Sequence, residues 1–229
     1  MKQDQTSLKK MAADAVLGHI KAGDVIGLGS GSTINYLLEA LLSVKYKIEG
    51  IVAASLQTEQ RLQQQGMSVV DLNTVGGLSL YIDGTDEVNA ELQLMKGGGG
   101  ALTREKVIAA ASQYFICIAD ESKFVNRLGR GPLSIEVIPM ARSYVAREIV
   151  KLNGFSVYRE NVVTDNGNVI LDTQGWDFTD PVYLEQLLNN IPGVICNGLF
   201  AQRPADELLL ATAVGIETRT KTGGASRRR

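Results

Sequence analysis

The sequence predicts an α/β fold in which a mostly parallel sheet is followed by a smaller α+β unit. Three observations support this prediction. Short apolar strands alternate with helices in the first half of the chain, residues 114–119 form a continuously apolar strand, and the order of elements changes after residue 131. Alternation of strands and helices is typical of a parallel sheet covered on both faces, and a continuously apolar strand is typical of its interior. Ligands of such sheets bind beyond the carboxyl ends of the strands.

The elements of the first part follow from hydrophobic periodicity and from the glycines that interrupt it. Leu8, Met11, Ala12 and Ala15 recur at helical spacing and predict an amphipathic helix over 7–21. The strand 24–28 then leads into a glycine-rich loop. The remaining predicted elements are strands 48–54, 68–72, 78–83 and 114–119, helices 34–42, 58–65 and 101–112, and a terminal hairpin of strands 208–213 and 215–220.

The second part has the order strand-helix-strand-strand-helix-strand, which is that of a ferredoxin-like unit. Its strands are predicted at 135–138, 155–159, 169–172 and 194–200, and its helices at 141–152 and 180–190. An Asn/Gly turn at 165–168 joins the two middle strands, and Pro181 suits the first turn of the last helix. We therefore predict one domain from residues 1–130 and 200–221, a second from residues 131–199, and a disordered tail at residues 222–229.

Composition restricts the classes of function. The chain has 23 basic and 25 acidic residues, a net charge of −2, and without the three arginines at 227–229 the remainder carries −5. An acidic body argues against a general nucleic-acid surface. No apolar run approaches the roughly 18 residues needed to cross a membrane, and residues 1–10 lack the apolar segment of a signal peptide. We expect a cytoplasmic protein without nucleic-acid or membrane partners.

The cysteines and the histidine restrict which metal-binding and catalytic chemistry the chain can support. Cys117 and Cys196 lie far apart in apolar, strand-like runs, so we expect both to be reduced core thiols. His19 is the one histidine of the sequence, which excludes a histidine-rich transition-metal site and leaves no other imidazole for Ser-His-Asp or Cys-His catalysis. Because His19 continues the apolar face of the first helix, we expect it to be structural.

The most informative segment is the run of four glycines at 97–100, between Lys96 and the helix that carries Glu105. Glycines cost conformational entropy and pack no side chain, so a folded chain keeps four of them for a reason. A glycine loop that leads into a helix presents unpaired N–H groups at the positive end of the helix dipole. Beside an ammonium group and a carboxylate, such a site can bind an anionic oxygen and move a proton. A tight turn with solvated charges is the alternative interpretation.

A second glycine-rich loop, residues 29–33 with the sequence GSGST, follows the first strand. Its glycines let the backbone approach a ligand, and Ser32 or Thr33 can cap the next helix and bond a phosphate oxygen. A dinucleotide fingerprint fails because one of these hydroxyl residues replaces its third glycine and because the next strand ends without an acidic residue. The GK[ST] ending of a nucleotide P-loop is absent too. We favour a monophosphate-binding loop over a simple turn.

Charged residues follow two further strands. The segment 83–87 (DGTDE) ends an apolar strand, where carboxylates can bind hydroxyl groups or transfer protons, although a turn with solvated acids explains it equally well. Its spacing is not that of a calcium loop. Lys123 comes just past strand 114–119 and either reaches a phosphate or lies on the surface. Together the four strand ends suit proton transfer on a small phosphorylated sugar or polyol.

These motifs resemble, in this order, those of the type A ribose-5-phosphate isomerases over nearly the whole chain. The matching runs are 29–33 (GSGST), 83–87 (DGTDE), 96–105 (KGGGGALTRE), 118–120 (IAD), 136–141 (EVIPMA), 163–168 (VTDNGN) and 191–194 (IPGV). The resemblance implies a homodimeric, cofactor-free enzyme that interconverts ribose 5-phosphate and ribulose 5-phosphate through an enediolate. It also implies a Rossmann-like catalytic domain and a ferredoxin-like second domain. The single histidine and the lack of a cluster of metal ligands predict that the enzyme needs no metal.

The resemblance also implies roles for individual residues. Glu105 would be the base that moves a proton between C2 and C1, and Asp83 and Lys96 would assist ring opening and proton movement at hydroxyl oxygens. The implied substrate-binding residues are Ser30, Gly31, Ser32, Thr33, Asp83, Gly84, Thr85, Asp86, Lys96, Gly97, Gly98, Gly99, Lys123 and, near the phosphate, Lys9. Ser30 and Thr85 stand where the family often has threonine and alanine, and the loop 53–57 is atypical.

Two other functions stay open. A non-catalytic sugar-phosphate sensor would need a DNA-reading module, and the single helix before Gly23 cannot form a helix-turn-helix. A NAD-linked oxidoreductase would need the dinucleotide fingerprint that loop 29–33 lacks.

Overall fold

A six-stranded sheet with helices on both faces forms the larger part of the chain. The computed structural model describes residues 4–221, so the tail predicted at 222–229 lies outside the described residues. The α-helices are Gln5–Ala15 (α1), Ser32–Leu41 (α2), Leu56–Gln64 (α3), Leu102–Ala111 (α4), Arg142–Lys151 (α5) and Pro181–Asn189 (α6). The strands are Asp24–Leu28 (β1), Ile48–Ala53 (β2), Leu78–Asp83 (β3), Glu87–Val88 (β4), Leu94–Met95 (β5), Ser112–Asp120 (β6), Leu133–Val137 (β7), Phe155–Tyr158 (β8), Val169–Gln174 (β9), Val194–Asn197 (β10), Leu199–Phe200 (β11), Glu207–Thr212 (β12) and Gly215–Thr220 (β13).

The strand order of the large sheet reverses once. Its spatial order is β13-β12-β6-β3-β1-β2, and the pairings are parallel except for the terminal hairpin of β12 and β13. The chain therefore turns back between β1 and β3, and doubly wound sheets bind their ligands at this reversal, beyond the carboxyl ends of the strands. The predicted Rossmann-like, mostly parallel sheet is confirmed. Its reversal lies where β1 ends at Leu28 and β3 ends at Asp83.

Alternating side chains divide the core of this sheet into two layers. Leu80 and Ile82 of β3 pack with residues of α1 and α2 on one face, whereas Tyr81 packs with Phe115 and with residues of α4 on the other. Burial of a large apolar side chain contributes about 1.5–3 kcal/mol to stability. Because both faces are apolar, both need a helical layer, as the sequence predicts.

The smaller sheet is antiparallel and has the order β10-β7-β9-β8. The helix α5 connects β7 to β8, and α6 connects β9 to β10, which confirms the ferredoxin-like unit. Val145 and Ile149 of α5 and Leu184 and Leu188 of α6 pack on the apolar side of this sheet. The domain limits of 131–199 stay a prediction, and the strands of the sheet run from Leu133 to Asn197.

Three predicted elements differ from the structure. The first helix spans Gln5–Ala15 and then tightens into a 3-10 turn, Val16–His19, instead of running over 7–21. The predicted strand 68–72 contributes a single bridge, from Val69 to Ile51. The predicted strand 194–200 divides at Gly198, and β11 pairs with β5 in a separate three-stranded sheet completed by β4.

The two cysteines are buried free thiols within the described residues, as predicted. Burial raises the pKa of Cys117 to about 12, so this thiol stays protonated at neutral pH. None of the helices in residues 4–221 is long and apolar enough to cross a membrane.

Gly198 divides the last strand because its backbone lies against that of Lys96. A Cβ at position 198 would lie 2.1 Å from the Lys96 carbonyl oxygen. The Lys96 N–H donates to the Gly198 carbonyl at 2.9 Å, and the Gly198 N–H donates to the Ser134 carbonyl at 2.8 Å. The residue at 198 therefore connects the backbone of Lys96 to β7, and a side chain there would separate them.

We expect Gly198→Ala to lower the free energy of unfolding by about 1–3 kcal/mol or more, the usual cost of forcing extra atoms into a packed site. Urea denaturation measures the change. Gly76→Ala is the matched control, because a Cβ there meets nothing within 4 Å. Equal denaturation midpoints for the two variants would show that the close approach at Gly198 does not constrain the fold.

Candidate active site

A lysine and two carboxylates meet beyond the carboxyl ends of the strands. Asp83 is the last residue of β3, Lys96 follows β5, and Glu105 lies in the first turn of α4. The Lys96 Nζ is 2.8 Å from Asp83 Oδ2 and 3.3 Å from Glu105 Oε2. All three side chains are buried, with no more than 5% of each exposed. Charges removed from water persist in a protein when they pair in this way.

The ammonium group of Lys96 has an acceptor for each of its three N–H bonds. In addition to the two carboxylates, it donates to the Gly84 carbonyl at 2.7 Å. Burial by itself lowers the pKa of Lys96, but the charges of Asp83 and Glu105 outweigh burial and raise the pKa above its ordinary value. Lys96 is therefore a fixed cation.

Asp83 is held by donors on both of its oxygens. The N–H groups of Ser30 and Gly84 donate to Oδ1 at 3.2 Å and 2.7 Å, and the Tyr81 hydroxyl donates to Oδ2. Burial and the charge of Asp83 raise the pKa of Tyr81 well above its ordinary value, so Tyr81 remains a donor. A Cβ at Gly29 would lie 1.8 Å from Asp83 Oδ1, which explains the first glycine of loop 29–33.

Glu105 combines burial with a single hydroxyl donor. The Ser30 Oγ donates to Glu105 Oε1 at 2.7 Å. Burial raises the pKa of Glu105 to about 7, the charge of Asp83 adds to this rise, and Lys96 and the Ser30 hydroxyl oppose it. A helix N-terminus favours the carboxylate form, but here desolvation has the larger effect. A carboxylate whose pKa lies near neutrality is suited to accept and return a proton.

Backbone conformation or a close neighbour accounts for three of the four glycines at 97–100. Gly97 and Gly100 have φ values of +109° and +82°, which favour glycine. A Cβ at Gly97 would lie 2.8 Å from the Ser134 Cβ, and one at Gly98 would lie 3.1 Å from the Asp86 carboxylate. Gly97, Gly98 and Gly100 are therefore needed where the backbone passes close to Ser134 and Asp86 and turns into α4.

The N–H groups of this loop differ in their partners. The Gly98 N–H donates to Asp86 Oδ2 at 2.9 Å, and the Gly100 N–H donates to the Gly97 carbonyl at 3.0 Å. The Gly99 N–H has no acceptor within hydrogen-bonding distance among residues 4–221. Two of the four glycine N–H groups are thus engaged, and Gly99 presents one that a ligand oxygen can accept from.

The loop after β1 leads into α2 with an uncapped N-terminus. Gly31 has a φ of +93°, and within the described residues no side chain caps the helix. The Lys9 Nζ donates to the Ser32 Oγ at 3.0 Å, which places a cation at this helix end. Unpaired N–H groups and a nearby ammonium group form an environment suited to a phosphate.

These groups share one cavity of about 90 Å³. Its lining comprises Ser30, Gly31, Ser32, Thr33, Gly84, Thr85, Asp86, Lys96, Gly97, Gly99, Glu105 and Lys123. Three predicted site residues lie outside this lining. Asp83 is buried beneath Lys96, Gly98 faces Asp86, and Lys9 reaches the site through Ser32.

A neighbouring cavity of about 170 Å³ shares Ser30, Gly31 and Gly99 with the first. It extends to Ser55 and Gln57 at the start of α3 and to residues 162–165 of the second unit. The two cavities together leave space for a ligand longer than a phosphate group.

A larger cavity, of about 510 Å³, lies elsewhere, between β2, α3 and α4. Its lining includes Val52, Val69 and Val107 with Arg104 and Asp71, and it contains none of the three buried charges described above. Converging buried charges with shifted pKa values mark a reactive site better than volume does. We therefore take the smaller pair of cavities as the candidate active site. Within residues 4–221 no group of three or more His, Cys, Asp or Glu side chains is arranged to hold a metal ion.

Comparison with known proteins identifies the family. The family model for "Ribose 5-phosphate isomerase A (phosphoriboisomerase A)" matches residues 50–215. The chain belongs to the ribose 5-phosphate isomerase A family. A ribose-5-phosphate isomerase A of Acidithiobacillus ferrooxidans is 52% identical over 210 residues, which cover 92% of this chain and 96% of that protein.

Solved structures of ribose 5-phosphate isomerases have the same fold. The enzyme from Neisseria gonorrhoeae has a TM-score of 0.95 and 42% identity, over 97% of this chain and 100% of that chain. A D-ribose-5-phosphate isomerase in complex with phospho-erythronic acid has a TM-score of 0.91 and 35% identity, over 95% of this chain and 100% of that chain.

Several residues at the candidate site of this family member are not predicted from the sequence. Arg159 and Ser134 contact the glycine loop from a distant segment of the chain, so no local pattern indicates them. Tyr81 lies two residues before Asp83 on β3, and its hydroxyl contact with that carboxylate becomes visible only in the structure. Thr85, expected to bind substrate, also donates its hydroxyl to the Glu87 and Met95 carbonyls at 2.6 Å and 3.0 Å, which fixes the turn after β3. His19 lies outside the cavity lining and has its Nε2 3.3 Å from Glu207 Oε1.

We expect the Glu105 carboxyl of this isomerase-family protein to titrate with a midpoint near pH 7. Ser30→Ala should move the midpoint to higher pH, because the Ser30 hydroxyl stabilises the carboxylate and its removal favours the protonated acid. Carboxyl-carbon NMR of glutamate-labelled protein measures the midpoint, and Glu105→Gln identifies the signal. The matched control is Ser43→Ala, whose exposed hydroxyl donates to the Ala40 carbonyl. An identical midpoint in the Ser30 variant would contradict the assignment.

Proposed function

We propose that this family member interconverts ribose 5-phosphate and ribulose 5-phosphate, with Glu105 as the general base and Lys96 as the cation beside the reacting oxygens. The observation that supports the proposal best is the contact of one buried ammonium group with two buried carboxylates at the cavity. A sugar-phosphate sensor would need a phosphate-binding loop but not a buried base with a pKa near neutrality. The isomerase is therefore the better interpretation.

The proposed chemistry is a proton transfer within one substrate molecule. In the open-chain aldose, Glu105 removes the proton from C2, and the electron pair of that bond moves toward the C1 carbonyl oxygen to form an enediolate. Glu105 then returns the proton to C1, which becomes CH2OH. The C2 hydroxyl loses its proton and becomes the carbonyl group, and the C1 oxygen gains a proton, so that the two oxygens exchange one proton between them. The aldose and the ketose are isomers, so the reaction needs no external oxidant.

In this proposal, Lys96 and the Gly99 N–H stabilise the negatively charged enediolate oxygen. A well-placed donor to a developing oxyanion contributes about 2.7–4 kcal/mol in related enzymes. Lys96 lines the cavity and is already a fixed cation, so no rearrangement of charge is needed when the oxygen becomes negative.

We propose that Asp83 assists ring opening and proton movement indirectly, by holding Lys96 in place. Its carboxylate is fully buried and accepts from Ser30, Gly84, Tyr81 and Lys96. A group so enclosed acts on a substrate hydroxyl by holding the ammonium group that contacts it. Asp86 and the turn at residues 84–85 remain the proposed partners of the other hydroxyl groups.

The phosphate is proposed to bind at the loop of residues 30–33. Ser32 and Thr33 begin α2, Lys123 lies across the same cavity, and Lys9 contributes its charge through Ser32. Binding at a helix N-terminus satisfies several phosphate oxygens at once.

We further propose that the protein is a cytoplasmic homodimer without nucleic-acid or membrane partners. The family resemblance supports the dimer, and the net charge of −2 supports the absence of a general nucleic-acid surface. The exposed apolar side chains of Phe155, Val157 and Ile195 on the second unit suit a subunit contact.

We expect Glu105→Gln to fold and bind ribose 5-phosphate but to isomerise it at least ~10²-fold more slowly, since glutamine keeps the shape of the side chain without the proton acceptor. Exchange of the C2 hydrogen with deuterated solvent should disappear together with turnover. Glu148→Gln, which removes a surface charge paired with Lys151, is the matched control and should keep both.

A folded Glu105→Gln protein with near-normal turnover would exclude Glu105 as the base. Asp83 would then be the leading candidate, because it is the other buried carboxylate in contact with Lys96.

We expect Thr33→Val to raise the KM for ribose 5-phosphate more than it lowers kcat. Phosphate contacts exist in the ground state and in the transition state, so their loss weakens both equally. Steady-state kinetics measure the two constants, and Thr218→Val, on the exposed strand β13, is the control. A collapsed kcat with an unchanged KM would remove Thr33 from the phosphate site.

A further inference from the structure

One arginine of the second unit binds the backbone of the glycine loop. Arg159 follows β8, and its Nη1 donates to the carbonyls of Gly97 and Gly98, each at 3.1 Å. In a trans peptide the C=O and the next N–H point in opposite directions. The two carbonyls face Arg159, so the N–H groups of Gly98 and Gly99 face away from it. The Gly98 N–H meets Asp86 there, and Gly99 borders both site cavities.

The guanidinium group is itself fixed by the smaller sheet. Its Nε and Nη2 donate to the two oxygens of Asp172 at 2.8 Å and 2.5 Å, and Nη2 also donates to the Ser134 Oγ at 2.9 Å. Bidentate pairing with a carboxylate defines both the position and the plane of an arginine head group. Asp172 lies on β9 and Ser134 on β7, so two strands determine where Nη1 points.

We propose that Arg159 is a positioning residue for the isomerisation. By holding the carbonyls of Gly97 and Gly98, it directs the Gly99 N–H toward the oxygen that becomes negative in the transition state. The proposal rests on the proposed function. A cation on the carbonyl side of a peptide group also polarises the adjoining N–H, which strengthens it as a donor.

Two substitutions separate positioning from simple stabilisation. Arg159→Met removes every hydrogen bond of the guanidinium group but keeps an unbranched side chain, and Arg159→Lys keeps the charge without the planar fork. Arg127→Lys is the matched control, because Arg127 pairs with Asp177 on the surface of the protein.

The kinetic experiment measures kcat and KM for ribose 5-phosphate and the inhibition constant of phospho-erythronic acid, whose carboxylate presents an anionic oxygen. For Arg159→Met we expect kcat to fall about 10²-fold, the effect of misplacing a reacting group by about 1 Å, while KM changes much less. The inhibition constant should rise, and Arg159→Lys should be intermediate. Loss of stability alone would reduce the amount of active protein and leave KM and the inhibition constant unchanged.

Amide hydrogen exchange of residues 97–100, measured without substrate, tests the loop independently of catalysis. Exchange should be faster in Arg159→Met and unchanged in Arg127→Lys.

Turnover of ribose 5-phosphate by the wild-type protein is measured first and tests the proposed function alone. If the wild type is active, a wild-type kcat in Arg159→Met overturns the proposal. If the wild type is inactive, the proposed function fails, and the exchange rates decide whether Arg159 positions the loop: faster exchange supports this, and unchanged exchange overturns it.

Discussion

The buried ammonium group of Lys96 is the interaction on which the rest of the site depends. An ammonium group without water needs three acceptors, and these are Asp83, Glu105 and the Gly84 carbonyl. Asp83 and Gly84 are consecutive at the end of β3, and Glu105 belongs to α4, so the ammonium group fixes the end of β3 relative to the first turn of α4. Removal of one partner from such a buried cluster typically costs about 3–5 kcal/mol. The buried charges of the candidate site therefore also hold its elements together.

The second unit fixes α4, the helix that carries Glu105. Glu136 is fully buried on β7 and accepts from the Thr103 hydroxyl of α4 at 2.5 Å and from the Thr164 hydroxyl at 2.8 Å. One helical turn further along α4, the Lys106 ammonium group lies 2.5 Å from Glu185, a buried carboxylate of α6. Both contacts flank Glu105, so the ferredoxin-like unit sets the position and orientation of that carboxylate. Residues of the second unit therefore help to define the geometry of the candidate site.

Sequence patterns predict those helices, strands and loops that are long enough to show a periodic or a glycine-rich pattern within one segment of the chain. The continuous apolar run in β6 and the glycine loops after β1 and before α4 indicate a parallel sheet with ligand-binding strand ends, and the site lies there. The strands β4 and β5 have two residues each and no periodicity to detect. Arg159 lies 62 residues from Gly97, so nothing local links them. The sequence does not determine the pKa of Glu105, because a helix N-terminus lowers the pKa of a carboxyl group and the burial that raises it is visible only in the structure.

The arrangement of charges also explains how one lysine can serve both a base and an oxyanion in the proposed mechanism. Before reaction Lys96 lies 3.3 Å from Glu105 and opposes the rise of its pKa. When Glu105 takes the C2 proton it becomes neutral, and the attraction between these two groups weakens as negative charge appears on the substrate oxygen. The ammonium group then has one unpaired N–H to offer, while Asp83 and the Gly84 carbonyl keep it in place. The net charge of the buried cluster together with its substrate does not change, so the proton transfer proceeds without creating an uncompensated charge in a desolvated site.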